Sequence, residues 1–121
     1  MAWIFNNKIP IYIQIANIIK LQIVTNQLKP GDKLPSVRDL AETSGVNPNT
    51  VQRALSDLET EGFVYSARTT GRFVTDNEDL IHSTRHQLAQ TELKRFVSSM
   101  LDLGFIREEL TSELEHYLKG E

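Results

Sequence analysis

The stretch Gly31–Val74, GDKLPSVRDLAETSGVNPNTVQRALSDLETEGFVYSARTTGRFV, carries most of the structural information in this chain. It contains a helix signal over 36–44, a turn at 45–47 and a second helix signal from 48 to about 61. Two short β-prone runs then flank Gly71. A helix, a tight turn with glycine, a second helix and a hairpin is the order of elements in a winged helix-turn-helix.

Specific capping residues set the bounds of the two helices. Ser36 precedes an apolar-periodic run and Asp39 follows three positions later, which is the pattern of a capping box. Gly45 can adopt the left-handed conformation that ends a helix. Asn47 is a good N-cap residue and Pro48 suits the first helical position. The sequence therefore predicts that the chain turns between these helices within a few residues.

The second helix has an apolar stripe and a polar stripe. The inward residues, at helical spacing, are Val51, Ala54, Leu55 and Leu58. The polar residues near its N-terminus are Asn49, Thr50, Gln52 and Arg53. A DNA recognition helix needs this arrangement, because its N-terminal residues reach base edges while its apolar side packs on the preceding helix. Asn and Gln can pair with adenine, and Arg can pair with guanine.

The residues after the second helix predict a β-hairpin, or wing. The strand-forming residues are Phe63, Val64 and Tyr65 on one side and Phe73, Val74 and Thr75 on the other. Between them lies a compact, basic tip formed by Arg68, Thr69, Thr70, Gly71 and Arg72. Such a tip can lie along phosphates or enter the minor groove. An ordinary small helical domain with a solvated polar face remains the alternative.

Two runs of the sequence resemble the DNA-binding domain of GntR-family bacterial transcription regulators. They are PSVRDLAETSGVNPNTVQRALSDLETEGFV and, upstream, IPIYIQIANIIKLQIVTNQLKPGDKLPS. The resemblance covers roughly residues 9–74, and the short tail is similar to that of the YtrA-like subgroup. It implies that Arg38 contacts DNA from the first helix of the motif and that the start of the second helix reads the groove. The wing departs from the family pattern G-x-G-x-F-V, since Thr69 or Thr70 stands where the first Gly is often found.

Candidate DNA-contacting residues come from both helices and the wing. They are Ser36, Arg38, Asn47, Asn49, Thr50, Gln52, Arg53, Arg68, Thr70, Gly71 and Arg72. The resemblance implies a dimeric repressor of a double-stranded DNA operator and, by association, control of genes for an ABC transporter. A protein-interaction module that uses a winged helix for other contacts is the second class. A regulator should place its arginines on one electropositive face, whereas an interaction module should show an apolar patch there.

Beyond Val74 the sequence predicts a helical hairpin. No Pro or Gly interrupts residues 76–103, and Gly104 separates them from a second helical segment. Because a hairpin has too little apolar surface for a core of its own, we expect it to pack against a second copy as a two-fold dimer. Packing on its own winged domain is the alternative. The expected interface residues are Phe96, Val97, Met100, Leu101, Phe105, Ile106, Leu110 and Leu114.

The predicted protein is thus mainly α with a small β-hairpin. A winged helix-turn-helix DNA-binding domain over 1–75 precedes a helical dimerisation hairpin over 76–121. The first part holds 8 basic and 6 acidic residues, a net charge of +2, and the second holds 5 and 10, a net charge of −5. The mildly basic half is therefore the one expected to meet DNA.

Composition and motifs argue against several other classes. Cysteine is absent, which excludes disulfides and thiolate metal sites. No signal peptide or bilayer-length apolar run is present, so we expect a cytoplasmic protein with no membrane partner. His82 and His86 are four apart but lack a metalloprotease pattern, so a solvated pair is favoured over a metal site. We predict no catalytic residue, metal or cofactor.

A small-molecule effector is compatible with this organisation. The tail of 46 residues is too short to enclose a typical pocket of ~300–1,000 Å³ by itself. We therefore expect any effector site to lie between two hairpins or between the tail and the winged domain.

Overall fold

The computed structural model describes residues 3–68 and 70–120, so Thr69 of the predicted wing tip lies outside the described residues. The described helices are α1 (Ile11–Val24), α2 (Val37–Ser44), α3 (Pro48–Thr60), α4 (Glu78–Asp102) and α5 (Arg107–Leu118). The strands are β1 (Val64–Ala67) and β2 (Gly71–Val74), which form one antiparallel sheet. The predicted fold class, a winged helix-turn-helix followed by a helical hairpin, is confirmed.

The predicted caps form where the sequence places them. Ser36 Oγ accepts a hydrogen bond from the Asp39 N–H at 3.0 Å, at the start of α2. Gly45 ends that helix in the left-handed conformation, with φ 73° and ψ 23°. Asn47 Oδ1 accepts a hydrogen bond from the Asn49 N–H at 2.8 Å, and Pro48 begins α3. These local bonds satisfy backbone groups that would otherwise lack partners at the helix ends.

The winged part of the chain is built around one apolar core. α1 and α2 both pack against α3. Ile15, Val51 and Leu58 are completely buried within this core. Each large side chain that is buried this way contributes about 1.5–3 kcal/mol. Tertiary packing therefore offsets the weak helix propensity of the β-branched residues in α1.

The chain falls into two compact units, which divide between Thr84 and Arg85. The first turns of α4 belong to the winged unit, because Ile81 is only 7% exposed and lies in the same core. The Thr75 N–H donates to the Phe63 carbonyl at 2.9 Å, which fixes the chain just before α4. The core of the winged unit thus continues beyond Thr75. The functional division after that residue stays a prediction.

The wing, residues 64–74, is bonded along one edge to the segment that precedes α2. Tyr65 pairs with Phe73 across the hairpin, and their rings stack with centroids 5.7 Å apart. Lys33 forms an antiparallel bridge with Phe73. The Leu34 N–H donates to the Arg72 carbonyl at 2.9 Å. This isolated bridge and the hydrogen bond beside it fix the base of the wing.

The second unit consists of the later part of α4 and all of α5, joined by a turn at Gly104, whose φ is +97°. Within described residues 85–120, Leu110 is the one apolar side chain that is buried, at 9% exposure. Most of the apolar surface of this helical hairpin therefore faces solvent. No helix in the described ranges combines the length and apolar character that crossing a membrane requires.

Candidate nucleic-acid interface

The outer face of α3 presents the polar residues that the sequence singled out. Asn49, Gln52 and Arg53 are exposed, and Thr50 is half-buried. The apolar stripe of the same helix is buried against the core. α3 therefore has the two-sided character of a recognition helix, with its polar N-terminal residues facing solvent.

Arg53 is held by a residue that the sequence did not place in the site. Its guanidinium carbon lies 3.8 Å from the centroid of the Tyr12 ring. Its Nη2 also donates a hydrogen bond to Tyr12 Oη at 3.1 Å. Stacking and hydrogen bonding together restrict this long side chain near the start of α3. Tyr12 is on α1, 41 residues away, so no local spacing in the sequence could have linked it to Arg53.

The predicted residues at the start of the motif divide into helix caps and an exposed cation. Ser36 and Asn47 both use their side-chain oxygens to cap α2 and α3. The Arg38 side chain is 87% exposed and forms an ion pair with Glu42 one turn later, at 3.5 Å. In the described part of the chain, no hydrogen bond or ion pair joins Arg38 to another predicted site residue. Its charge therefore projects from α2 into solvent.

The wing is joined to α3 through side chains as well as through the chain itself. Arg72 Nε lies 3.2 Å from Glu59 Oε1, and the Ser66 hydroxyl donates to that same oxygen. Arg68 and Thr70 are exposed at the tip. Of the predicted wing cations, the structure thus brings Arg72 against the recognition helix and leaves Arg68 in solvent.

Lys33 is a second residue that lies beside the candidate site although the sequence did not place it there. Gly71 has a φ of +114°, which an L side chain adopts only with strain. A Cβ at that position would lie 3.1 Å from Lys33 Cε, so the lysine side chain runs beside the base of the wing tip. The bridge between Lys33 and Phe73 is what puts this lysine next to the wing.

Comparison with known proteins identifies the family. Residues 11–74 match the family described as "Bacterial regulatory proteins, gntR family". The chain belongs to the GntR family. The predicted family is thereby confirmed.

Two relatives from Bacillus subtilis show how far the similarity extends. The "Uncharacterized HTH-type transcriptional regulator YhcF" is 38% identical over 116 residues, which is 96% of each chain. The "HTH-type transcriptional repressor YtrA" is 46% identical over 68 residues, covering 56% of this chain and 52% of YtrA. The similarity to YhcF therefore includes the C-terminal hairpin, whereas the similarity to YtrA covers about half of each chain.

Solved structures support the same family. A "GntR family transcriptional regulator from Listeria monocytogenes" superposes with a TM-score of 0.82 and 37% identity, over 93% of this chain and 98% of that one. The DNA-binding domain of AraR in complex with operator ORX1 superposes with a TM-score of 0.57 and 26% identity, over 62% of this chain and 95% of that one. This GntR-family protein is a DNA-binding transcription regulator, and its relatives are regulators rather than enzymes.

Proposed function

We propose that this GntR-family regulator is a repressor that binds a two-fold DNA operator in the cytoplasm as a homodimer. The observation that carries the proposal is the apolar surface of the helical hairpin. Tyr117 is 79% exposed and Leu103 is 73% exposed, while a single apolar side chain of the described hairpin is buried. An apolar surface of this kind marks a site of association.

One groove on the hairpin is the proposed centre of the dimer interface. This hairpin groove has a volume of about 500 Å³ and is lined by Phe96, Met100, Glu113, Leu114, His116 and Tyr117. Among the predicted interface residues, Leu101, Ile106 and Leu114 are exposed, whereas Leu110 is buried within its own hairpin. Leu110 therefore supports the hairpin itself, and Tyr117 joins the candidates for contact between chains.

A second copy of this chain is the partner that fits the groove. A two-fold axis through the hairpin would place the same apolar side chains opposite one another, so each copy would cover the other. The similarity to YhcF extends through this region at nearly full length. A two-fold dimer would also present two copies of α3 to DNA, with half-sites about one helical turn apart.

In the proposed complex the site residues have separate roles. Asn49, Gln52 and Arg53 read base edges, because amide and guanidinium groups match the acceptors and donors of the major groove. Arg38, Arg68 and Lys33 contact phosphates, since each is exposed on α2 or at the wing. The caps Ser36 and Asn47 stabilise the helix ends that carry these contacts.

We favour repression over activation of transcription, since the similar protein YtrA is named a repressor. We also propose, by association with the YtrA-like subgroup that the chain resembles, that it controls genes for an ABC transporter. We further propose that any small-molecule effector binds where a second hairpin covers the hairpin groove. A ligand that is fully enclosed by a single hairpin would contradict this placement.

Selection of genomic fragments with the purified full-length protein tests the proposal. We expect enrichment of fragments with inverted repeats, and a DNase footprint over two half-sites on each. Arg53→Ala should weaken binding to these fragments, whereas Arg95→Ala, on the hairpin, should leave it unchanged. Failure to enrich any fragment, or a footprint over one half-site, would argue against a dimeric operator-binding regulator.

A further inference from the structure

Glu59 connects the recognition helix to both strands of the wing. Its Oε1 accepts a hydrogen bond from the Ser66 hydroxyl on β1 and lies 3.2 Å from Arg72 Nε on β2. Ser66 and Arg72 are direct partners across the hairpin. Their side chains therefore project from the same face of the wing, and one carboxylate oxygen holds both.

The ion pair leaves much of Arg72 available for another partner. A guanidinium has five N–H donors in a fixed planar arrangement, and the pair with Glu59 uses the one on Nε. The side chain of Arg72 is 23% exposed and that of Glu59 is 37% exposed, so the pair lies at the edge of the surface. Because the guanidinium is planar, the bond from Nε to the Glu59 carboxylate also sets the direction of the remaining N–H donors of Arg72.

The connection also determines where the wing lies relative to α3. Backbone bonds to residues 31–34 fix the outer edge of β2, and the Phe63 N–H donates to the Leu58 carbonyl at the end of α3. The Glu59 contacts with Ser66 and Arg72 are side-chain hydrogen bonds between α3 and the wing. Loss of this carboxylate would remove both side-chain bonds from the polar face of the wing, while Val64 and Val74 would stay packed in the core.

We propose that Glu59 is a positioning residue that fixes the wing against the recognition helix and orients Arg72 toward a phosphate of the DNA backbone. The inference rests on the proposed function, since it assigns a role within that DNA complex. Orientation before binding removes the cost of ordering a long side chain in the complex. Glu59 itself contacts no DNA in this arrangement, because its charge is paired within the protein.

A double-mutant cycle on operator affinity tests the inference. Glu59→Ala should weaken binding roughly 3- to 10-fold for each half-site, which corresponds to one long side chain that must be ordered on binding, and hence about 10- to 100-fold for the dimer on its operator. In an Arg72→Ala background the same substitution should change affinity by less than about 2-fold, since coupled residues are not additive. Glu61→Ala removes a carboxylate from the same end of α3 that pairs with Lys20 on α1 and not with the wing, and it serves as the matched control, with unchanged affinity expected.

NMR relaxation of the backbone amides of the wing, in the DNA-free protein, measures wing mobility independently of DNA affinity. Glu59→Ala should increase the mobility of residues 64–68 and 70–74, while Glu61→Ala should not. Unchanged wing mobility would overturn the inference, as would an equal loss of affinity with and without Arg72. Tighter binding of Glu59→Ala to operator and random DNA alike would also overturn it, because Glu59 would then merely shield the arginine charge. If the wild-type protein binds no selected DNA, the proposed function fails, and the relaxation data still report on the contact.

Discussion

Replacement of Leu114 by aspartate should separate association from folding. Leu114 lines the hairpin groove and is 38% exposed in a single chain. In the proposed dimer this exposed part is buried against the second copy. Leu110→Asp is a poorer choice, because Leu110 is 9% exposed and a charge there would disrupt the hairpin of one chain.

The expected effect follows from burial and charge. Complete burial of a leucine contributes about 1.5–3 kcal/mol, so the 38% that is exposed in Leu114 accounts for about 1–2 kcal/mol over two copies. Each aspartate also brings an unpaired carboxylate into the interface, at a cost of several kcal/mol. Together these terms weaken the dimer by at least about 4 kcal/mol, or about 10³-fold in its Kd.

Sedimentation velocity at micromolar concentration measures the result. The wild-type protein should be a dimer and Leu114→Asp a monomer with a similar far-UV circular dichroism spectrum. Ser112→Asp, an exposed position on the same helix outside the hairpin groove, should remain dimeric. Operator affinity of Leu114→Asp should fall about 10²–10⁴-fold, because linked binding of two half-sites is lost. A monomeric wild-type protein, or a Leu114→Asp dimer, would refute this reasoning.

Three further predictions concern the winged unit. Arg53→Ala should cost roughly 1–3 kcal/mol on the selected operator if the side chain reads a base; equal losses on operator and random DNA in a mobility-shift titration would assign it to a phosphate instead. Lys33→Ala should reduce the steepness of log K against log salt by about 0.9 for each half-site, or about 1.8 for the dimer, and an unchanged slope would remove Lys33 from the interface. A fragment of residues 1–75 lacks Ile81 and should be about 1.5–3 kcal/mol less stable to urea than a fragment of residues 1–90; equal stabilities would contradict the place of Ile81 in the core.

The sequence by itself determined the order and bounds of the elements that build the site. Ser36, Gly45 and Asn47 cap or end helices through bonds that span at most a few residues. Such bonds depend on local residue types and spacing, which a single sequence displays directly. The stripe that α3 buries was also readable, because its period matches that of a helix.

The sequence was less informative about which face of α1 is buried. Leu21 is one of many apolar residues in α1, so its residue type alone does not show whether it faces the core. It is 54% exposed in the structure. The helix buries Ile15, Ile19 and Ile23, which repeat every four residues, and Leu21 lies on the other side. When most positions of a helix are apolar, periodicity alone does not select the buried face.

Only the tertiary structure decided the contacts that hold the side chains proposed to face DNA. Tyr12 meets Arg53 because α1 packs on α3, and Glu59 meets Arg72 because the hairpin returns to the recognition helix. Residues 41 and 13 positions apart form these pairs, and no local pattern relates them. Side-chain contacts between elements depend on packing angle and strand register, which are set by burial of the whole core rather than by the residues that make the contact.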